Sequence, residues 1–167
     1  MAQVILVDEK DQVLGFEEKL KAHQEGKLHR AFSILIFDDE GKMLLQKRAL
    51  GKYHCAGLWS NACCSHPSPN ETLEKAIHGR LLFEMGFDCT LSKKLSFIYK
   101  TQFDNGLIEH EFDHVFTGIF SGTPNFNPEE VSDYKWITID NLRQDIVSNP
   151  QNFTVWFTLI CQKLNLI

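Results

Sequence analysis

The apolar positions of this chain change their spacing several times, and each change marks a structural element. Val4–Val7 is a short unbroken apolar run suited to a strand. Phe16–His23 reads as a short helix, followed by a polar loop that ends near Lys27. Arg30–Phe37 (RAFSILIF) is β-rich, Asp38-Asp39-Glu40-Gly41 is a turn signal, and Lys42–Arg48 (KMLLQKR) completes a hairpin. From Ala49 to Pro69 no period survives. This stretch is irregular and rich in Gly, Cys, His and Pro, and so long a loop in a compact domain is either functional or disordered. Glu71–Met85 takes up the helical period, with Asn70 as N-cap and Gly86 as C-cap. Leu95–Phe103 and Leu107–Ile119 are strands joined by the hairpin turn Asp104-Asn105-Gly106. Tyr134–Ile139 adds a strand, Asn141–Val147 a helix and Phe153–Leu164 a last apolar helix. Strands and helices mix without regular alternation, which predicts an α+β layered domain rather than a doubly wound sheet.

With 167 residues and no linker, low-complexity tract or internal repeat, the chain is expected to be one domain spanning 1–167. Lys plus Arg total 17 against 22 Asp plus Glu, a net charge of −5. That balance argues against a general nucleic-acid or anionic-membrane binder, although a local basic cluster is compatible with it. No uncharged apolar run approaches the ~18 residues of a membrane span. The start, MAQVILVDEKDQ, lacks the basic segment of a secretory signal. The five Cys are odd in number and irregularly spaced, and adjacent Cys63 and Cys64 are poor staples. A soluble, cytoplasmic protein with free thiols is the expectation.

Local chemistry starts on the Glu71–Met85 helix. Arg80 and Glu84 fall on the same stripe as Leu73, Ala76 and Ile77, four residues apart. The plain reading is a surface i,i+4 ion pair. The alternative is an Arg aimed at an anion and a Glu at a metal. In Ile108-Glu109-His110-Glu111-Phe112, strand alternation puts Glu109 and Glu111 on one side, about 7 Å apart. Base rates favour a solvated sheet face, yet two carboxylates on a rigid strand also suit a cation or a proton carrier. In Trp59–Pro67 a Cys beside a His suggests either thiolate chemistry or metal ligation, against a buried thiol and a surface His. No second close Cys/His pair completes a structural zinc pattern. His23 and His29, taken singly, read as surface histidines.

Together these fragments resemble the type 1 isopentenyl diphosphate isomerases, a branch of the Nudix fold. The resemblance runs from about Val4 to Trp156. It rests on KLKAHQ…LHRAF (Lys19–Phe32), KRALGKY (Lys47–Tyr53), GLWSNACCSHP (Gly57–Pro67), ETLEKAIHGRLLFEMGF (Glu71–Phe87), IEHEF (Ile108–Phe112) and NPQNFTVW (Asn149–Trp156). The Nudix helix pattern is kept in part: Glu71, Glu84 and Gly86 are present, whereas Ser65 stands for the opening Gly, Gly79 for Arg, and Arg80 and Phe83 for two of the later Glu. Hydrolases of this fold gather cations around a pyrophosphate with those carboxylates, so their loss argues against hydrolysis. Ala56 stands where the family often has Pro.

The resemblance implies an α+β, Nudix-like mixed sheet layered between helices. It implies 1,3-allylic proton transposition between isopentenyl and dimethylallyl diphosphate, with Cys64 and Glu111 as the catalytic pair. His23, His29, His66, Glu109 and Glu111 match ligands of one divalent metal (Mn, Zn or Fe, with Mg possible). Glu84 matches a ligand of a Mg2+ that arrives with the substrate diphosphate. Lys19, Arg48, Lys52 and Arg80 match diphosphate contacts, and Tyr99 and Trp156 match active-site aromatics. The partner is then a small-molecule diphosphate rather than nucleic acid or membrane, and the chain a monomer or weak dimer. A Nudix pyrophosphohydrolase and a non-catalytic isoprenoid-diphosphate binding module are the competing readings. Retention of both Cys64 and Glu111 argues against the second, because binding alone needs no proton carrier.

Overall fold

The computed structural model describes residues 1–52 and 54–167. Tyr53, which closes the Lys47–Tyr53 block, lies outside the described residues. The first half of the chain runs β1 (Gln3–Val7), β2 (Val13–Glu18), α1 (Lys19–Glu25), β3 (His29–Phe37), β4 (Met43–Arg48), β5 (Trp59–Ser60) and β6 (Cys63–Ser65). The second half runs α2 (Leu73–Met85), β7 (Leu91–Gln102), β8 (Ile108–Ile119), β9 (Val131–Ile137), α3 (Ile139–Ser148) and α4 (Val155–Lys163), with a 3-10 turn at Pro150–Asn152.

All of these strands join one mixed sheet, and β3 is its spine. One edge of β3 pairs in parallel with β8 from His29↔Glu111 to Phe37↔Ile119. Its other edge is shared in turn by β1 (Leu6↔His29), β6 (Phe32↔Ser65 to Ile34↔Cys63) and β4 (Phe37↔Met43), all antiparallel. The alternation of β3 therefore feeds two cores. Phe32, Ile34 and Ile36 pack with Ala76, Ile77, Leu81 and Met85 of α2. Leu35, Tyr99 and Val115 pack on the opposite face with Leu142 and Ile146 of α3 and Trp156, Phe157 and Ile160 of α4. Each fully buried Leu, Ile or Phe in these layers contributes about 1.5–3 kcal/mol of transfer free energy.

The layered α+β expectation holds, with three local corrections. The segment from Phe16 is strand through Glu18, and the helix begins at Lys19: Phe16 and Gly15 are held by pairing with Ile5 and Leu6. Thr72 rather than Asn70 caps α2, its hydroxyl accepting the Lys75 N–H at 3.2 Å, while Asn70 sits in a turn at φ +67°. The stretch 49–69 contains two short strands, β5 and β6, paired to β4 and β3. At the far end of α2, Gly86 takes φ +76°, and a Cβ there would collide with the Asn125 carbonyl oxygen, so both backbone and packing require glycine.

Candidate functional site

Strand register assembles the first half of the site. His29 on β3 opposes Glu111 on β8, and Glu111 opposes Tyr99 on β7, so one row of side chains crosses three strands on one face. Period-2 alternation along β8 puts Glu109, Glu111 and Asp113 on that face, and all three are buried. The solvated-face reading of Glu109 and Glu111 is thereby overturned. His23 and His29 have no exposed surface, which overturns their reading as surface histidines. The helix α1 packs against β8 and carries His23 inward, and His66 follows directly on β6.

These groups converge. His23 Nε2 lies 2.5 Å from Glu109 Oε1. His29 Nε2 lies 3.2 Å from His66 Nε2, 3.4 Å from Glu111 Oε2 and 3.8 Å from Glu109 Oε1. His66 Nε2 lies 2.6 Å from Glu111 Oε2, and the Tyr99 hydroxyl donates to Glu111 Oε1. His23 and His29 each donate Nδ1–H to a carbonyl, of Lys19 at 2.6 Å and Lys27 at 2.9 Å, because a carbonyl can only accept. In the neutral form their Nε2 lone pairs therefore face inward, and when protonated the same nitrogens donate to the carboxylates. One ligand atom from each of His23, His29, His66 and Glu109 lies within 4.8 Å of the others. Inward-facing imidazole lone pairs beside carboxylate oxygens fit a divalent cation, which would neutralise their mutual repulsion.

Electrostatics follow from that crowding. Burial and the charge of Glu109 raise the Glu111 pKa, but hydrogen bonds from His29 and His66 outweigh both and hold it at about 2. Burial also opposes ionisation of Glu109, whose hydrogen bonds from His23 and His54 carry it well below the ordinary carboxylate range. Burial drives His66 down to about 4 despite Glu111. His23 is also penalised by burial, yet its hydrogen bond and attraction to Glu109 leave it raised. Burial, and then the charge of Glu111, lift the Tyr99 phenol well above its usual value.

The second component is the thiol. Alternation along β6 separates the two adjacent cysteines. Cys63 belongs to the α2 core, with its sulfur 3.6 Å from Glu84 Oε2, whereas Cys64 packs against the α4 core. The Trp156 indole N–H donates to Cys64 Sγ at 3.2 Å. Asn61 spends its amide N–H groups on the carbonyls of Ile34 (3.0 Å) and Cys63 (2.9 Å), which aims Oδ1 at Cys64 Sγ, 3.1 Å away. Ser33 Oγ is 3.6 Å from the same sulfur and donates to Asp113 at 2.8 Å. Burial, then the charge of Asp113, pushes the Cys64 thiol up to about 12, so it rests protonated.

The third component is cationic. Lys19, Arg48, Lys52 and Arg80 line a single cleft together with Cys64, His66, Glu109, Glu111 and Trp156. Burial and then the charge of Lys52 depress the Lys19 pKa, with Arg80 and Arg48 adding to the effect. Such positive crowding is the signature of a site that receives an anion. Arg48 stands 5.2 Å from the Trp156 ring centroid, and its buried Nε has no hydrogen-bond partner among the described residues. Arg80 donates to Glu84 at 2.6 Å, so the i,i+4 pair exists, and Arg80 lines the cleft as well. Glu84 is 4% exposed and also accepts from Gln46 at 3.2 Å. Glu84 and Tyr99 connect to the cleft through Arg80 and Glu111. Trp156 is at once a core residue and part of the cleft lining.

Sequence reasoning missed several participants. His54 Nε2 bonds Glu109 Oε2 at 3.1 Å, with its ring 5.9 Å from that of Trp156. The length of the loop that carries it was the available signal. Asp113 continues the Glu109, Glu111 alternation and could have been read from it. Glu130 pairs with both Lys52 and Arg80, and nothing in its local sequence distinguishes it from Glu129.

Comparison with known proteins bears on the family and the fold. The NUDIX domain model matches residues 27–157. A protein of Aromatoleum aromaticum named isopentenyl-diphosphate Delta-isomerase 2 is 51% identical, covering 98% of this chain and 89% of its own length. Its namesake from Photorhabdus laumondii is 53% identical over 97% of this chain and 92% of its own. Among solved structures, a Deinococcus radiodurans protein superposes with a TM-score of 0.73 at 20% identity, covering 88% of this chain and 90% of that one. A MutT NUDIX hydrolase from Burkholderia pseudomallei gives 0.61 at 23% identity, over 79% and 94%. These two likenesses speak to the fold alone.

Proposed function

We propose, for a chain that belongs to the Nudix family and within it to the isopentenyl-diphosphate Delta-isomerases, that it interconverts isopentenyl and dimethylallyl diphosphate, a step of isoprenoid biosynthesis, using Cys64 and Glu111 as proton carriers. The observation that carries the reading is a single cleft lined at once by a thiol, a carboxylate, an indole and four basic side chains.

An unactivated alkene is a very weak base. Moving its double bond requires a proton to be added at the terminal carbon and another to be removed two carbons away, through a tertiary carbocation or something close to it. Two carriers in opposite protonation states are needed. Cys64 rests as a thiol and Glu111 as a carboxylate, so one is able to give while the other takes, and each pass leaves them exchanged. The Trp156 N–H steadies the sulfur in either state, and the indole face stabilises positive charge by about 0.5–2 kcal/mol. Burial of Trp156, His29 and Glu111 keeps water away from a cation that it would quench.

His23, His29, His66, Glu109 and Glu111 would hold a divalent cation, for which imidazole and carboxylate donors suit Mn, Fe or Zn. When bound, that ion fixes and tunes the Glu111 carboxylate. Lys19, Arg48, Lys52 and Arg80 receive the diphosphate, with Glu84 available to a Mg2+ that the substrate brings. Binding energy from this remote charged group holds the hydrocarbon between the carriers.

Incubation of isopentenyl diphosphate with the enzyme and Mg2+ in heavy water, followed by mass spectrometry, tests the proposal. Deuterium is expected in dimethylallyl diphosphate. Release of phosphate or pyrophosphate without exchange marks a hydrolase, and binding without exchange marks a binding module; either outcome rejects the isomerase reading.

A further inference from the structure

We propose that Glu130 is a built-in counter-anion of the diphosphate site: it holds Lys52 and Arg80 while the site is empty and yields them when a diphosphate enters. The inference rests on the reading that these cations receive the diphosphate, and it concerns a residue outside the cleft lining.

A single oxygen of Glu130, Oε2, accepts from both Lys52 Nζ and Arg80, the latter at 3.1 Å. The two cations come from unconnected elements, the loop after β4 and the middle of α2. Among the described residues, Glu130 is the group that pairs with both. The placement of Glu130 is firm. Its N–H donates to Asn127 O at 3.0 Å, its carbonyl accepts from Ala49 N at 3.1 Å, and the Asn127 N–H is bound to Glu84 O at 2.9 Å. The turn that presents Glu130 is thus fastened both to the end of α2 and to the loop that carries Lys52. The side chain is 18% exposed, and its partners are 24% and 31% exposed. Partly exposed pairs such as these exchange partners more cheaply than fully buried charges do. The two cations also hold Glu130 ionised against its burial, so it meets an incoming diphosphate as a charge of the same sign.

Two consequences follow. With the site empty, Lys52 and Arg80 stay gathered instead of repelling each other outward, so the site is organised before substrate arrives. With the site full, Glu130 opposes the diphosphate and offers its cations an alternative partner, which favours release of a product whose charged half is identical to that of the substrate. Removing the carboxylate charge should therefore tighten diphosphate binding rather than weaken it.

The test compares wild-type holoenzyme with Glu130→Gln and Glu130→Ser, using inorganic pyrophosphate as a competitive inhibitor. Glu130→Gln is expected to lower the pyrophosphate inhibition constant and the substrate KM together by about tenfold, and to lower kcat as product leaves more slowly. Glu130→Ser removes the same charge with a side chain too short to bridge the cations, so tightening in both variants assigns the effect to charge. An unchanged or weakened pyrophosphate affinity in both variants overturns the proposal and leaves Glu130 a structural brace. Arg80→Met keeps the two failures apart. If it weakens pyrophosphate while Glu130→Gln does nothing, the counter-anion idea alone fails. If Arg80→Met also leaves pyrophosphate unaffected, the assignment of this cluster to the diphosphate fails with it.

Discussion

In the His/Glu cluster, His23, His29, Glu109 and Glu111 are almost without solvent, and most are fixed by the register of β3, β7 and β8. In the cationic cluster, Lys52, Arg80 and Glu130 stand on a loop, a helix and a turn, are 18–31% exposed, and share ion pairs. The difference is one of exchange cost. Taking a partner from a buried charge costs about 3–5 kcal/mol, whereas an exposed pair is worth about 0–1 kcal/mol. A site that must keep two proton carriers in opposite protonation states needs the first kind of construction. A site that must capture and release a polyanion in each turnover needs the second.

The largest effect that would break this contrast comes from substitutions at the two ends. Cys64→Ala and Glu111→Gln are expected to cut kcat by about 10³-fold or more while pyrophosphate affinity stays within about threefold. Arg80→Met should do the reverse, raising KM by about 10–100-fold through loss of charge-assisted hydrogen bonds, with kcat changed by less than about tenfold. Steady-state kinetics paired with inhibition by pyrophosphate decide it. Equal effects of both kinds of variant on KM would mean that the ends are not functionally separate.

An intermediate effect concerns stability. If the buried end carries its cation at about 100 times the dissociation constant, chelation removes about 2.7 kcal/mol, a fall in Tm of roughly 5–10 °C for a chain of this size. Lys52→Met, which breaks only a wet ion pair, should move Tm by less than about 3 °C. Calorimetry with and without chelator checks both. A chelator that leaves Tm unchanged would say that the inward-facing histidines hold no ion.

The same contrast explains what the sequence disclosed. Strand period and turn chemistry carried the fold, because β3, β8 and the hairpin turn before β8 bear patterns that a single segment displays. They faltered at Phe16, where pairing with β1 decides between strand and helix, and at Asn70, where a turn takes the residue that looked like a cap. Glu109 and Glu111 could be placed on one face from alternation, but their burial depends on α1 and on histidines that arrive from elsewhere in the chain. Most of the site became legible through resemblance, as motifs matched whole. Glu130 and His54 could not be assigned because their side chains act through long-range contacts: the nearer ion-pair partner of Glu130 is 50 residues away, and His54 bonds across 55.

The smallest expected effect is a pH response confined to the buried end. Burial lowers the folded-state pKa of His66 to about 4, against 6.5 for an unperturbed histidine. Between those values the unfolded metal-free chain binds a proton that the folded one refuses, so stability rises with pH through this window and loses nothing further from this group below it. His23 has the opposite sign. Glu109 raises its pKa, so it contributes stability below 6.5 that is lost as pH rises through its folded value. The two partly cancel, and for that reason a melting curve is a poor probe and the individual rings are a good one. Histidine NMR of metal-free protein at pH 5.5 should show His66 neutral and His23 charged, although their ring centroids lie only 5.8 Å apart. At pH 5.5 Arg80 is charged, and Glu130, held below the ordinary carboxylate range by Lys52 and Arg80 against its burial, is ionised. Were His66 to titrate at or above 6.5, the inner end would be as wet as the rim, and the division of labour between them would have no electrostatic basis.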